Sequence, residues 1–153
     1  MFEFKKFDNL QNDEIKLVLK STDEPNYDKG YAPRYGYSII HIQDNEDIGV
    51  VYFSVDTSRR QYLVGHLSYG VSPVYSGRNY ATKACRLVKE VALAHDMSKL
   101  YIGSGYDNIA SRKTIEKLGA RPITINDVPD EKILDELKEN KVDMYVWEIS
   151  KEN

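Results

Sequence analysis

A change of hydrophobic period around residue 76 constrains this chain more than any other feature. Before it, "GHLSYGVS" at 65–72 reads as a strand. After it, Ala81, Ala84, Cys85, Val88, Val91 and Ala92 recur at helical spacing within residues 80–95, while Lys83, Arg86, Lys89 and Glu90 fall elsewhere. The link between the two, "SGRNYAT" at 76–82, is polar, small and carries a glycine. A strand that runs through a tight turn into a helix leaves the first helical N–H groups unpaired, with the positive end of the helix dipole behind them. Such a terminus binds phosphate. Gly77 lets backbone come close to a ligand, Asn79 tolerates unusual dihedrals, the Thr82 hydroxyl could add a donor and Arg78 a charge. The plainer alternative is that Gly77 only makes the turn and Asn79 only caps the helix. Two other phosphate cradles are excluded, since no Gly-Lys-Ser/Thr follows the glycine and no G-x-G-x-x-G occurs.

The remaining pattern alternates strands and helices. In "EIKLVLK" Ile15, Leu17 and Leu19 alternate with Lys16, Val18 and Lys20, which predicts a strand with one buried face, and "MFEFKKF" predicts a shorter one before it. "STDEPNYDKGYAPRY", with Pro25, Gly30 and Pro33, reads as a connecting loop that overhangs a site. "YGYSIIHIQ" and "IGVVYFSV" make a hairpin across "DNED". "KLYIGS" is a strand, and "DNIASRKTIEKLG" a helix with Asp107 or Asn108 as N-cap, Ile115 and Leu118 inward and Gly119 at its end. The tail adds a strand in "RPITIN", a helix in "DEKILDELKEN" after Pro129, and a last strand in "DMYVWEIS". With 153 residues and no repeat, linker or low-complexity tract, one domain over 1–153 is expected.

Several function classes drop out. A formal charge of -3 without a dense Lys/Arg block argues against nucleic acid as a partner. Charge interrupts "MFEFKKFDN" too early for a secretory signal, and no apolar run approaches the roughly 20 residues that span a bilayer, so neither export nor a membrane is expected. Cys85 is the only cysteine, which rules out an intramolecular disulfide and fits a reducing compartment; it reads as a small packed hydrophobe, and the cytoplasm is the expected location. His41, His66 and His95 lie on separate elements, so no metal site is expected. A homodimer stays open.

"VSPVYSGRNYATKA" at 71–84 resembles the acyl-CoA-binding motif of the GNAT superfamily of N-acyltransferases, whose usual pattern is V-x-P-x-x-R-G-x-G-x-A/G-T. "DNIASRKTIEKLGA" resembles the second motif of the same superfamily, in the form of the branch that contains the ribosomal-protein N-acetyltransferases and related uncharacterised acetyltransferases. The resemblance covers roughly residues 64–120. It implies an α/β fold: a twisted, mixed but mostly antiparallel sheet flanked by helices, with a splayed strand pair, parallel neighbours, at the cofactor site. It also implies that acetyl-CoA is the cosubstrate, its pyrophosphate held by the backbone of Gly77, Arg78, Asn79, Tyr80, Ala81 and Thr82. The pantetheine arm would pair with the backbone of Tyr69 and Val71 and contact Asn108, whose alternative reading is a plain helix cap. The chain departs from the pattern at Ser76, where arginine is usual, at Asn79, where glycine is usual, and at Ile115, where many members place a tyrosine acting as general acid. The loop before Tyr35 is expected to replace the first two helices usual in the superfamily.

Acyl transfer to an amine needs a neutral amine, a stabilised oxyanion and a proton for the leaving thiolate. His66 is a candidate base, with a structural role in a sheet as its alternative; Ser111 and Tyr106 are candidate donors to the thiolate. Tyr27, Tyr31, Tyr35 and Tyr37, among twelve tyrosines, could wall an acceptor pocket or simply cover strands. The expected function is acetyl-CoA-dependent N-acetylation of a primary amine on a small molecule or a peptide N-terminus. The alternatives are a CoA-binding sensor or interaction module of the same fold that turns over weakly or not at all.

Overall fold

Alternating apolar residues build the first sheet of the computed structural model, which describes residues 2–151. Strands β1 (Ile15–Asp23), β2 (Arg34–His41), β3 (Glu46–Ser54) and β4 (Leu67–Val71) lie in chain order, each antiparallel to the next. Ile15, Leu17, Tyr35, Tyr37, Ile39, Val51 and Phe53 point into a core closed by Ala84, Cys85, Val88, Val91 and Ala92 of helix α2 (Tyr80–Ala94). Leu19 breaks the alternation, since the register with β2 shifts between Leu19 and Ser21 and leaves its side chain exposed.

A second, three-stranded sheet has the order β5 (Leu100–Gly105), β7 (Val142–Trp147), β6 (Arg121–Pro122), again antiparallel throughout. One face sends Leu100, Ile102 and Trp147 into the main core. The other carries Tyr101, Met144 and Val146 against Ile133 and Leu137 of helix α4 (Glu131–Glu139). Helix α3 (Ile109–Leu118) follows β5, capped by the Asn108 side chain and ended by Gly119 at φ 81°.

The two sheets meet at β4 and β5. The His66 N–H donates to the Tyr101 carbonyl at 2.6 Å, and no ladder continues from that bond among the described residues. Gly65 makes the approach feasible, for a Cβ there would sit 2.9 Å from the Tyr101 carbonyl oxygen on a backbone already at φ +85°. The expected splayed pair is therefore β4 and β5, which touch at one end instead of pairing along their length; the parallel ladder implied by the resemblance is absent among the described residues.

Other expectations fail locally. Residues 2–10 form no strand; Phe2, Phe4 and Phe7 pack against the core instead, the Phe2 and Phe4 rings edge to face with centroids 4.7 Å apart. Helix α1 (Arg59–Val64) was not legible because it has six residues, too few to show a period; the Gln61 Oε1 accepts from the Ser58 N–H at 3.1 Å and hydroxyl at 2.6 Å. "RPITIN" contributes only two residues of strand before Thr124 starts a single helical turn. The loop at 21–35 is shorter than expected, since β1 runs to Asp23 and one turn of helix spans Tyr27–Lys29. Among the described residues no helix is long and apolar enough to cross a membrane.

Candidate functional site

The turn before α2 is open. Gly77 (φ 79°) and Asn79 (φ 65°) are both left-handed. The Lys83 N–H donates to the Asn79 carbonyl at 3.0 Å, so the N–H groups of Tyr80, Ala81 and Thr82 precede the intrahelical ladder. The Asn79 side chain does not cap them; its Oδ1 accepts from the Lys117 ammonium, which reaches across from α3. A Cβ on Gly77 would meet nothing within 4 Å, so backbone conformation, not crowding, favours glycine there and the space over the turn is free. Arg78 is exposed with its guanidinium 5.9 Å from the Tyr75 ring, while Thr82 is buried in the first turn. Lys117 is a cation that sequence reasoning missed; its i, i+4 spacing from Lys113, which lines the same cavity, was the available signal.

A cavity of about 470 Å³ runs from this turn between β4 and α3. Tyr69, Gly70 and Val71 form one wall, and Asn108 and Ser111 the other. The outer edge of β4 is free of a ladder along this wall, among the described residues. Asn108 Oδ1 accepts from the Ser111 N–H at 3.0 Å, which fixes the start of α3. The Tyr69 and Ser111 hydroxyls hydrogen-bond to each other at 3.0 Å. Burial pushes the Tyr69 phenol up to about 12, with the Ser111 bond opposing the shift. The phenol is thus a permanent hydrogen-bond donor at neutral pH, and it was legible only as a backbone position. Tyr106 is not brought to this cavity: it is exposed, outside the lining, and its carbonyl accepts from Arg112 at 2.6 Å. Ile115 is fully buried in the core.

A second cavity of about 480 Å³ adjoins the first through shared walls at Val64, Leu67 and Ser68. The loop expected to overhang a site does line it, with Asp23, Glu24 and Tyr31, opposite Arg60 of α1. Of the clustered tyrosines only Tyr31 lines it; Tyr27 is exposed, and Tyr35 and Tyr37 are core residues with ring centroids 5.9 Å apart.

His66 lies behind this cavity but offers no free base. Its Nδ1 accepts from the Tyr101 N–H at 2.8 Å, which places the proton of the neutral ring on Nε2, facing the Thr57 hydroxyl at 2.9 Å. Burial lowers its pKa to about 4. Both nitrogens are occupied and the ring is 2% exposed, so the geometry corrects the general-base expectation toward the structural alternative.

A polar network backs the turn from the first sheet. His41 bonds the Asp44 carboxylate through Nδ1 at 3.0 Å and the Tyr80 hydroxyl through Nε2 at 3.1 Å. The Tyr75 hydroxyl donates to the other Asp44 oxygen at 2.8 Å, and this bond is the main reason the carboxyl is held below its ordinary pKa. Tyr75 and Tyr80 stand on either side of Gly77.

A family model described as the acetyltransferase (GNAT) domain matches residues 5–121. Solved structures share the fold. A probable acetyltransferase aligns with a TM-score of 0.54 and 14% identity over 78% of this chain and 63% of its own. The RimL ribosomal L7/L12 alpha-N-protein acetyltransferase in complex with coenzyme A gives 0.56 and 17% over 82% and 67%. The microcin C7 self immunity acetyltransferase MccE in complex with acetyl-CoA and AMP gives 0.52 and 17% over 74% and 59%. This chain thus spans less than two thirds of the first and third of these proteins. No curated protein sequence matches it.

Proposed function

Because the chain belongs to the GNAT acetyltransferase family, we propose that it transfers the acetyl group of acetyl-CoA to a primary amine, on a small molecule or a peptide N-terminus. The observation that carries this reading is the open helix start at Tyr80, Ala81 and Thr82, set over a cavity that continues along the unpaired edge of β4. The proteins of like fold solved with coenzyme A or acetyl-CoA support it.

The residues present fit the cosubstrate. The amides from Gly77 to Thr82 hold a pyrophosphate, with Lys117 and Arg78 supplying opposite charge. Main-chain groups of Tyr69 and Val71 pair with the amides of the pantetheine arm, and Asn108 stands across from them. A thioester supplies an activated acyl carbon and a leaving thiolate. Ser111 and Tyr69 present hydroxyls on the cavity wall where a thiolate would develop, and a phenol near 12 donates a hydrogen bond there without giving up its proton. With His66 occupied, the amine loses its proton to solvent, and the alignment of amine and thioester across the wall at Leu67 and Ser68 supplies much of the rate. Residues 1–153 act as one catalytic domain. The lone buried Cys85, its thiol raised to about 12 by burial, suits the cytoplasm.

Calorimetry with acetyl-CoA and CoA, followed by release of free thiol with a panel of amines, tests the reading. Gly77→Asp should abolish binding, because it strains a left-handed position and puts a carboxylate against the pyrophosphate. A Gly77→Asp protein that still binds would remove the cradle from the argument. Binding without thiol release from any amine would favour a CoA sensor, a reading that the apolar Ile115 and the engaged His66 support.

A further inference from the structure

The second cavity differs from a general amine port in its charge. Four charged side chains line it: Asp23, Glu24, Arg34 and Arg60. Asp23 and Arg34 face each other across β1 and β2, bonded at 2.8 Å, with the Arg34 guanidinium also 4.6 Å from the Tyr52 ring. That pair is joined by a single bond, from the Arg34 Nε to one Asp23 oxygen. Arg60 has no carboxylate partner among the described residues; its guanidinium rests 5.2 Å from the Tyr31 ring. Its neighbour Arg59 points the other way and pairs with Asp130 and Glu136 of the α4 region at 3.3 and 3.2 Å. Glu24, one residue past β1, likewise has no ion-pair partner among the described residues.

Neutral polar groups sort in the same way. Gln61 is taken by Ser58, and His66 by Thr57 and Tyr101. Ser54 and Ser68 keep hydroxyls with no partner among the described residues, and both line the cavity. The space, about 480 Å³, is of small-molecule size. Outside the internal pairs, one carboxylate (Glu24), one guanidinium (Arg60) and the hydroxyls of Tyr31, Tyr52, Ser54 and Ser68 line the cavity, beside the wall shared with the cofactor cavity.

We propose that the acceptor is a zwitterionic, amino-acid-like molecule, with Glu24 attracting its ammonium and Arg60 pairing with its carboxylate. This rests on the acetyl-transfer reading. An amine alone would leave Arg60 without a partner, and a peptide N-terminus carries no carboxylate next to its amine. In the reaction the ammonium releases one proton to solvent and its nitrogen bonds to the thioester carbonyl carbon. The carbon–sulfur bond then breaks, and the second amine proton leaves with the sulfur as free thiol.

Thiol release by the whole protein with acetyl-CoA should be compared across free amino acids, their carboxamides and short peptides. The expected result is a kcat/KM for the best free amino acid about tenfold or more above that of its carboxamide. Arg60→Gln should bring that ratio toward one, while Arg59→Gln should leave it unchanged. Equal rates for acid and amide, a preference for peptides, or a ratio insensitive to Arg60→Gln would overturn the proposal. Turnover of no amino acid by a protein that binds acetyl-CoA would overturn it as well, whereas absence of acetyl-CoA binding would remove the acetyl-transfer reading beneath it.

Discussion

At the scale of single residues, His66 shows how one side chain can look catalytic in sequence and be structural in space. Its folded pKa of about 4 lies below the ordinary value of 6.5, so the unfolded chain takes up the proton first. Stability from this group is complete above the unfolded pKa and is lost as pH falls from there toward 4. Between neutral pH and about pH 4.5 the loss should be about 2 kcal/mol, visible as a lower denaturant midpoint. His66→Asn should flatten that dependence while leaving the pH profile of kcat/KM unchanged. A variant that instead loses activity most at low pH would restore the base. The sequence could not separate these outcomes, because the partners that occupy the ring, Thr57 and the Tyr101 N–H, lie 9 and 35 residues away. Tyr69 is the converse: the resemblance drew attention to its backbone, while its hydroxyl became meaningful only when α3 brought Ser111 within 3.0 Å.

At the scale of elements, the start of α2 is held by more than its own turn. Asp44 sits in the β2–β3 connection and grips the site twice, through Tyr75 directly and through His41 to Tyr80. Asp44→Ala should therefore raise the KM for acetyl-CoA roughly tenfold with kcat within about twofold, as a loosened cradle binds less well but aligns the acyl group as before. A fall in kcat with unchanged KM would mean that the network acts elsewhere. Helices α2 and α3 were legible because each has a periodic buried face and a marked end, down to the Asn108 cap and the left-handed Gly119. What stayed hidden was short or cooperative. The six-residue α1 brings Arg60 to its cavity without any period to betray it, and the two-residue β6 ends where Arg121 and Asp127 lock at 2.8 Å.

At the scale of the whole molecule, two sheets that share little hydrogen bonding are joined by side chains. Trp147 belongs to β7 in the second sheet yet lies, 1% exposed, in the core that α2 and the first sheet build. Unfolding should accordingly be one transition, with tryptophan fluorescence and far-ultraviolet circular dichroism giving coincident curves in denaturant. Separated curves would show sheets that fold independently. The splay between β4 and β5 has a cost of another kind, for an unpaired strand edge is a template on which any extended polypeptide can add itself. The outer edge of the first sheet, β1, is guarded by Lys16, Lys20 and its bulge after Leu19. The β4 edge carries no such charge in "LSYGV", and its protection is confinement between α3 and β5. A thin, flexible ligand arm can slip into that gap where a neighbouring protein's strand, with side chains on both faces, cannot. An occupant of that gap would then also guard against aggregation, and the protein would be most adhesive when the gap is both empty and widened.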